Sequence, residues 1–302
     1  VWQGIEYVAN MVGIRYTRQK TILKRDRRAG EKTKLMLSAK MAYEELNMKK
    51  TLRVGAGCLL VISLLFACTS KNIEEQKAKA EASRNLGEAY LRQGKYSLAL
   101  GELLKAESLM PDDYFVQDDL GLVYYYKGKQ DLAIRHFKKA LALKDDYAPA
   151  RNNLGNAYAE KREWDKAIEQ YKVVSSDLLY ATPQFPLSNM GLAYYEKKEY
   201  QLSERYFLKA LKAQQDFDRA LYGLGKTYMA MGRVPEAIIK LERAALAAPD
   251  APPVHFELAK AYTMNREYKK AYNSYQQVAN LNPGSPLADR AMLEAQKIKH
   301  LF

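Results

Sequence analysis

Cysteine is nearly absent: Cys58 and Cys68 are the two in 302 residues. That excludes a disulfide-stapled scaffold and any zinc site built on clustered thiolates. Histidine is as scarce. His136, His255 and His300 stand far apart, without HExxH or other paired spacing, so each reads as a surface or packing residue. There is no Walker motif, no GxSxG and no glycine-rich phosphate loop. Acidic pairs such as Asp112-Asp113 and Asp145-Asp146 fall where turns are expected, and none has the setting of a catalytic acid and base. The residues imply no metal and no cofactor, and they point to a non-enzyme. Proline and glycine are also sparse, at ten and sixteen residues in a chain that is 48% apolar, which is the composition of a globular helical protein. Long apolar runs are missing but for one. Val54 to Ala67 is uncharged for fourteen residues, short of the roughly 20 that a membrane-spanning helix needs.

What charge there is sits unevenly. Net charge is +13, and residues 1–47 hold ten Lys/Arg against five Asp/Glu. Lys49, Lys50 and Arg53 add three more, which leaves the remainder of the chain at only +5. Overall basicity is therefore no argument for nucleic-acid binding.

The dominant feature is recurrence. Leu86-Gly87 returns as Leu120-Gly121, Leu154-Gly155, Met190-Gly191, Leu224-Gly225 and Leu258-Ala259, at steps of 34, 34, 36, 34 and 34 residues. Tyr90, Tyr124, Tyr158, Tyr194, Tyr228 and Tyr262 follow at constant offset. So do the small residues Ala99, Ala133, Ala167, Ser203, Ala237 and Ala271, and the bulky Leu103, Phe137, Tyr171, Phe207, Leu241 and Tyr275. Ala106, Ala140, Val174, Ala210, Ala244 and Val278 complete the pattern. In period and residue pattern the chain resembles the tetratricopeptide repeat. The resemblance implies an all-α, right-handed α-solenoid of six repeats, at 80–113, 114–147, 148–181, 184–217, 218–251 and 252–285. The 36-residue step places an insertion near Ser175 to Pro186, and Pro183 and Pro186 mark it as a loop. Ser285 and Pro286 read as the N-cap and first residue of a final helix, the capping segment 286–302.

The segment before the repeats has its own organisation. Residues 1–47 include the basic run TRQKTILKRDRRAGEKTK and a short helical candidate, MLSAKMAYEEL. The chain opens on Val, and a complete signal peptide begins at Met48. We therefore expect residues 1–47 to come from an upstream start assignment; a solvated arm, or a basic arm touching phosphate or anionic lipid, are the alternatives. Lys49, Lys50 and Arg53 form an n-region and Val54 to Ala67 an apolar core. Leu65-Phe66-Ala67-Cys68 resembles a bacterial lipobox. That resemblance implies a signal peptide at 48–67, diacylglycerol transfer to the Cys68 thiol and cleavage before Cys68. A lipidated tether at 68–79 would follow, and the absence of Asp after Cys68 favours the outer membrane. An uncleaved anchor is the alternative reading.

In the tetratricopeptide family the first helices line a groove that holds partner segments, and the resemblance implies that, by register, the partner groove here includes Asn152, Asn156, Ser188, Leu192, Tyr195, Tyr222, Lys226 and Met229. Asparagines suit backbone amides, aromatics suit side-chain pockets and Lys226 suits a carboxylate, as an extended guest requires. The segment DLLYATPQFPLSNMGLAYYEKKEY (Asp177–Tyr200), with its Asp-x-Leu-Tyr turn, and the six-repeat length resemble the type IV pilus biogenesis and stability lipoproteins, the secretin pilotins. Membership would imply a lipid-anchored outer-membrane adaptor on the periplasmic face. Its protein partner would be a secretin subunit, which it would help to insert and multimerise. Another envelope scaffold, for peptidoglycan enzymes or polysaccharide export, is the runner-up, and a cytoplasmic scaffold comes after it.

Overall fold

The structure is a computed structural model that describes residues 31–177 and 180–302, without the side chains of 31–33, 35 and 51–72. The expectations for residues 1–30 and for the Cys68 side chain fall outside the described residues. The chain divides into two units, 1–74 and 75–302.

Helix α1 runs from Glu31 to Arg92, 62 residues. The sequence leads us to expect only a short helix around Met36–Leu46. That stretch is instead part of one continuous helix, because no proline interrupts 31–92. Pairs four residues apart support the helix on its exposed faces, with Glu45–Lys49 and Glu75–Lys79 both at 2.8 Å.

The last turns of α1 open the repeat array. Its partner is α2 (Tyr96–Leu109), and the next pairs are α3 (Tyr114–Tyr126) with α4 (Gln130–Leu143) and α5 (Ala148–Glu160) with α6 (Trp164–Ser176). Then come α7 (Gln184–Glu196) with α8 (Tyr200–Ala213), α9 (Asp218–Ala230) with α10 (Val234–Ala247), and α11 (Pro252–Met264) with α12 (Tyr268–Leu281). Helix α13 (Pro286–Ile298) closes the array, with a 3-10 turn at Lys299–Leu301. From α2 onward each helix packs on the next, and each first helix from α3 onward also packs on the first helix of the following pair. Those contacts define a solenoid.

The recurring residues are the core. Ala99, Ala133, Ala167, Ser203, Ala237 and Ala271 are fully buried, and the six bulky residues are at most 2% exposed. In five of the six repeats a paired glycine makes room for that residue. A Cβ on Gly155 would come within 2.5 Å of the Tyr171 ring, and one on Gly191 within 2.8 Å of Phe207. Leu120, Leu154, Met190, Leu224 and Leu258 are buried, whereas Leu86 in the first repeat is 43% exposed.

Every hairpin turns in the same way. The N–H of Lys95, Lys129, Glu163, Glu199, Arg233 and Glu267 donates to the carbonyl of the repeat's tyrosine at 2.8–2.9 Å. The preceding residue donates to the carbonyl just after that tyrosine, as Gly94 does to Leu91 at 3.0 Å. This six-fold Schellman motif needs a left-handed residue between the helices. Gly94, Gly128 and Gly232 supply it in repeats one, two and five, but Arg162, Lys198 and Arg266 occupy it at φ of 59°, 62° and 61°.

The insertion lies between α6 and α7, as the 36-residue step predicts. Pro186, expected in the loop, sits in the first turn of α7, where a missing N–H costs no intrahelical bond. The closing helix starts at its predicted cap: Ser285 Oγ accepts from the Ala288 N–H at 3.2 Å. Ala291, Ala295 and Ile298 of α13 complete the cluster around Phe256, Tyr275 and Val278.

Two substitutions should move stability in opposite directions. Gly155→Ala should lower it by about 1–3 kcal/mol, because the added methyl displaces the Tyr171 ring. Arg162→Gly should raise it by up to about 1 kcal/mol, since the left-handed strain exceeds the entropy cost of glycine. Urea unfolding monitored by circular dichroism measures both.

A cationic cleft on the first-helix face

Positions four and three apart along α5, α7 and α9 carry the residues assigned to the groove, so each set lies on one helix face. The structure brings five of the eight together. Ser188, Leu192 and Tyr195 of α7, with Tyr222 and Lys226 of α9, line a cleft of about 240 Å³. Ser188 is buried at its wall, and Leu192 is 46% exposed. Lys226 Nζ lies 4.7 Å from the centre of the Tyr195 ring and 5.6 Å from that of Tyr222, within cation–π range of both. Burial raises both phenols, that of Tyr222 to about 12, and the nearby Glu257 carboxylate adds to each shift. Glu257 is already paired with Lys260 at 2.7 Å.

Four residues complete the cleft that register alone does not identify: Asn189, Phe207, Arg219 and Gly223. Arg219 sits in the first turn of α9, where a charged residue ordinarily reads as solvated. Gly223 is legible in the motif Tyr222-Gly-Leu-Gly, where the repeat calls for Gly225 alone. Any side chain at Gly223 would overlap the Phe207 ring, so glycine keeps that ring as an apolar wall. Neither Arg219 nor Lys226 forms an ion pair with another described residue.

The remaining three groove residues have other surroundings. Asn156 Oδ1 accepts from Tyr171 Oη at 2.8 Å and from Asn189 Nδ2 at 3.0 Å, a brace between repeats three and four. Asn152 Oδ1 is buried without a hydrogen-bond partner among the described residues. Met229 is half-buried and packs against two core clusters.

Sequence reasoning gave the carboxylates of α3 no role, yet Asp118 is only 5% exposed. Its Oδ1 accepts from Asn153 Nδ2 at 3.1 Å. Burial pushes the Asp118 carboxyl up to about 6, against the lowering effect of that bond. Asp119 is pushed up to about 7 by burial and then by Asp118, with Arg84 opposing. His136 is a packing residue, stacked on Tyr124, and His300 is exposed. His136 Nδ1 meets Gln117 Oε1 at 2.8 Å, and His255 Nε2 meets the Pro249 carbonyl at 2.7 Å. No cluster of three or more potential metal ligands occurs among the described residues.

The raised aspartates fix a pH dependence. A carboxyl whose folded pKa exceeds its unfolded value contributes stability that is present below the unfolded value and lost as pH rises through the folded one. For Asp118 that window runs from about 4 to about 6. Asp118→Asn keeps the acceptor for Asn153 and removes the buried charge. It should exceed wild type in stability by on the order of 1–3 kcal/mol at pH 7.5, with the advantage vanishing near pH 4. Thermal melts of both proteins across that range provide the comparison.

Comparison with known proteins places the architecture. A tetratricopeptide-repeat family model matches residues 73–113, 188–252 and 224–286, and a second model of the same repeat matches 121–162. In sequence, 132 residues are 26% identical to anaphase-promoting complex subunit 3 of Schizosaccharomyces pombe. That match covers 39% of this chain but only 20% of the subunit. Among solved structures, Pseudomonas aeruginosa PilF aligns with a TM-score of 0.63 at 21% identity, over 73% of this chain and 99% of PilF. PilW, described as a widely conserved type IV pilus biogenesis factor, aligns with a TM-score of 0.65 at 21% identity, over 70% of this chain and 98% of PilW. At such identities the likeness is one of fold. Repeat register, helix packing and family models agree, and the chain is a tetratricopeptide-repeat protein.

Proposed function

We propose that this protein is a lipid-anchored adaptor for type IV pilus biogenesis at the bacterial outer membrane. In this reading the repeat groove binds secretin subunits and promotes their membrane insertion and multimerisation. The observation that carries the proposal is extent and path together: 98–99% of the PilF and PilW chains aligns here at TM-scores of 0.63 and 0.65. A generic repeat array serves unrelated clients on one fold, so the client itself is argued from the sequence. The lipobox-like Leu65-Phe66-Ala67-Cys68 and the Asp177–Tyr180 junction add independent support from sequence.

The mechanism divides between two parts of the chain. The Cys68 thiol takes the lipid, and cleavage before it removes 48–67. No helix among the described residues is long and apolar enough to cross a membrane, and several acyl chains give stable anchoring where one is marginal. Residues 69–79 then link lipid to repeats. In the groove, the α7–α9 cleft receives guest side chains. Lipid anchorage delivers the held segment to the membrane where the secretin assembles.

Deleting the gene should abolish SDS-resistant secretin multimers on a blot of outer membranes. Wild-type protein should restore them there and Cys68→Ala should not. Multimers that persist unchanged in the deletion strain would remove the secretin assignment.

A further inference from the structure

The α7–α9 cleft is chemically lopsided, and the asymmetry specifies a guest. The described part of the protein pairs many of its cations: Lys161 with Asp131 at 2.6 Å, Lys197 with Asp165 at 2.6 Å, and Arg233 with Glu204 at 2.8 Å. Arg219 and Lys226 line the cleft from one helix and have no such partner there. Lys226 rests on the faces of Tyr195 and Tyr222 instead, which holds the ammonium at the cleft while leaving its N–H donors unspent. Leu192, 46% exposed, gives the cleft an apolar surface, and the buried Phe207 ring, packed against Gly223, also lines it.

Resting on the groove reading above, we infer that this cleft is an anchor for an acidic residue in an extended segment of the partner. That residue would be Asp or Glu, with a large apolar residue two positions away. The argument is charge complementarity together with strand geometry. A guest carboxylate can accept from Lys226 and Arg219 at once, a charge-assisted pair in a partly desolvated setting. In an extended chain, residues i and i+2 face the same side, so the second side chain meets the exposed Leu192 while residue i+1 points away. Helices α5 and α11 pack on α7 and α9 at either side of the cleft. A segment lying across these first helices runs past the cleft both ways, and the carboxylate it offers is that of a side chain, not of a chain end.

The test is selection of peptides from a random 12-residue library on the full chain. Synthesis of the enriched sequence follows, with affinities read by fluorescence anisotropy. The expected consensus is acid-x-apolar. Replacing the acid by its amide in the peptide, or Lys226→Gln or Arg219→Gln in the protein, should each weaken binding about tenfold, the effect of losing a charge-assisted bond. Circular dichroism verifies that the variants fold. If enriched peptides lose binding on Leu192→Asp but carry no acid, the groove reading survives and this inference fails. If amidating the peptide terminus matters and the acid-to-amide change does not, the inference fails in favour of a terminal carboxylate. If peptides bind regardless of Leu192, or none enrich, the groove reading fails and takes the inference with it. Dimers in sedimentation that dissociate on Lys226→Gln would assign the cleft to a second copy and overturn the inference as well.

Discussion

The constraint on which the array depends is the close seating of a ring or branched side chain of each second helix on the first, over bare glycine backbone in five repeats and over Ala259 in the sixth. Tyr171 over Gly155 and Phe207 over Gly191 are the clearest cases. Without a Cβ the two helices come close enough for the small residues at Ala133, Ala167 and their equivalents to bury completely. Close hairpins in turn leave each pair with an apolar edge that only the next pair can cover, which is why the core runs unbroken through α4 to α7. Propagation of the array, and the groove that results from it, follow from that single contact.

Polar groups add register to this packing and contribute little net stability. The Asn156–Asn189 bond and the Tyr171 hydroxyl tie the first helices of repeats three and four together. Ser203 and Thr227 meet at 2.9 Å between repeats four and five, both fully buried. Surface pairs such as Lys197–Asp165 repeat from hairpin to hairpin but contribute little each in water. Buried hydrogen bonds penalise misregister because an unpaired buried partner costs more than the bond gains.

Helices, boundaries and core were legible because a fixed period exposes every structural position six times. Second helices begin at Tyr96, Gln130, Trp164, Tyr200, Val234 and Tyr268, in step with the sequence repeat. The site was legible only where it coincides with that period. Tyr195, Tyr222 and Lys226 fall on the periodic positions and line the cleft. Arg219 and Gly223 lie off the positions used, and their meaning depends on a neighbouring helix. Burial of Asp118 likewise depends on α5 supplying Asn153, a relation between repeats that single-repeat reasoning does not reach. Continuity of α1 was missed for a different reason: helix propensity is a weak local signal, and nothing in 31–92 announces or forbids a long helix.

An array held together only by neighbours is not equally firm along its length. Leu86, in the first repeat, is 43% exposed, and at the other end α13 is covered on one side only, by α11 and α12. Opening fluctuations should therefore start at the two ends and reach the middle last, because an interior pair must lose two interfaces rather than one. The α7–α9 cleft lies in repeats four and five, with packed neighbours on both sides. A guest would meet a surface already ordered, and the entropy of ordering on binding would fall on the guest.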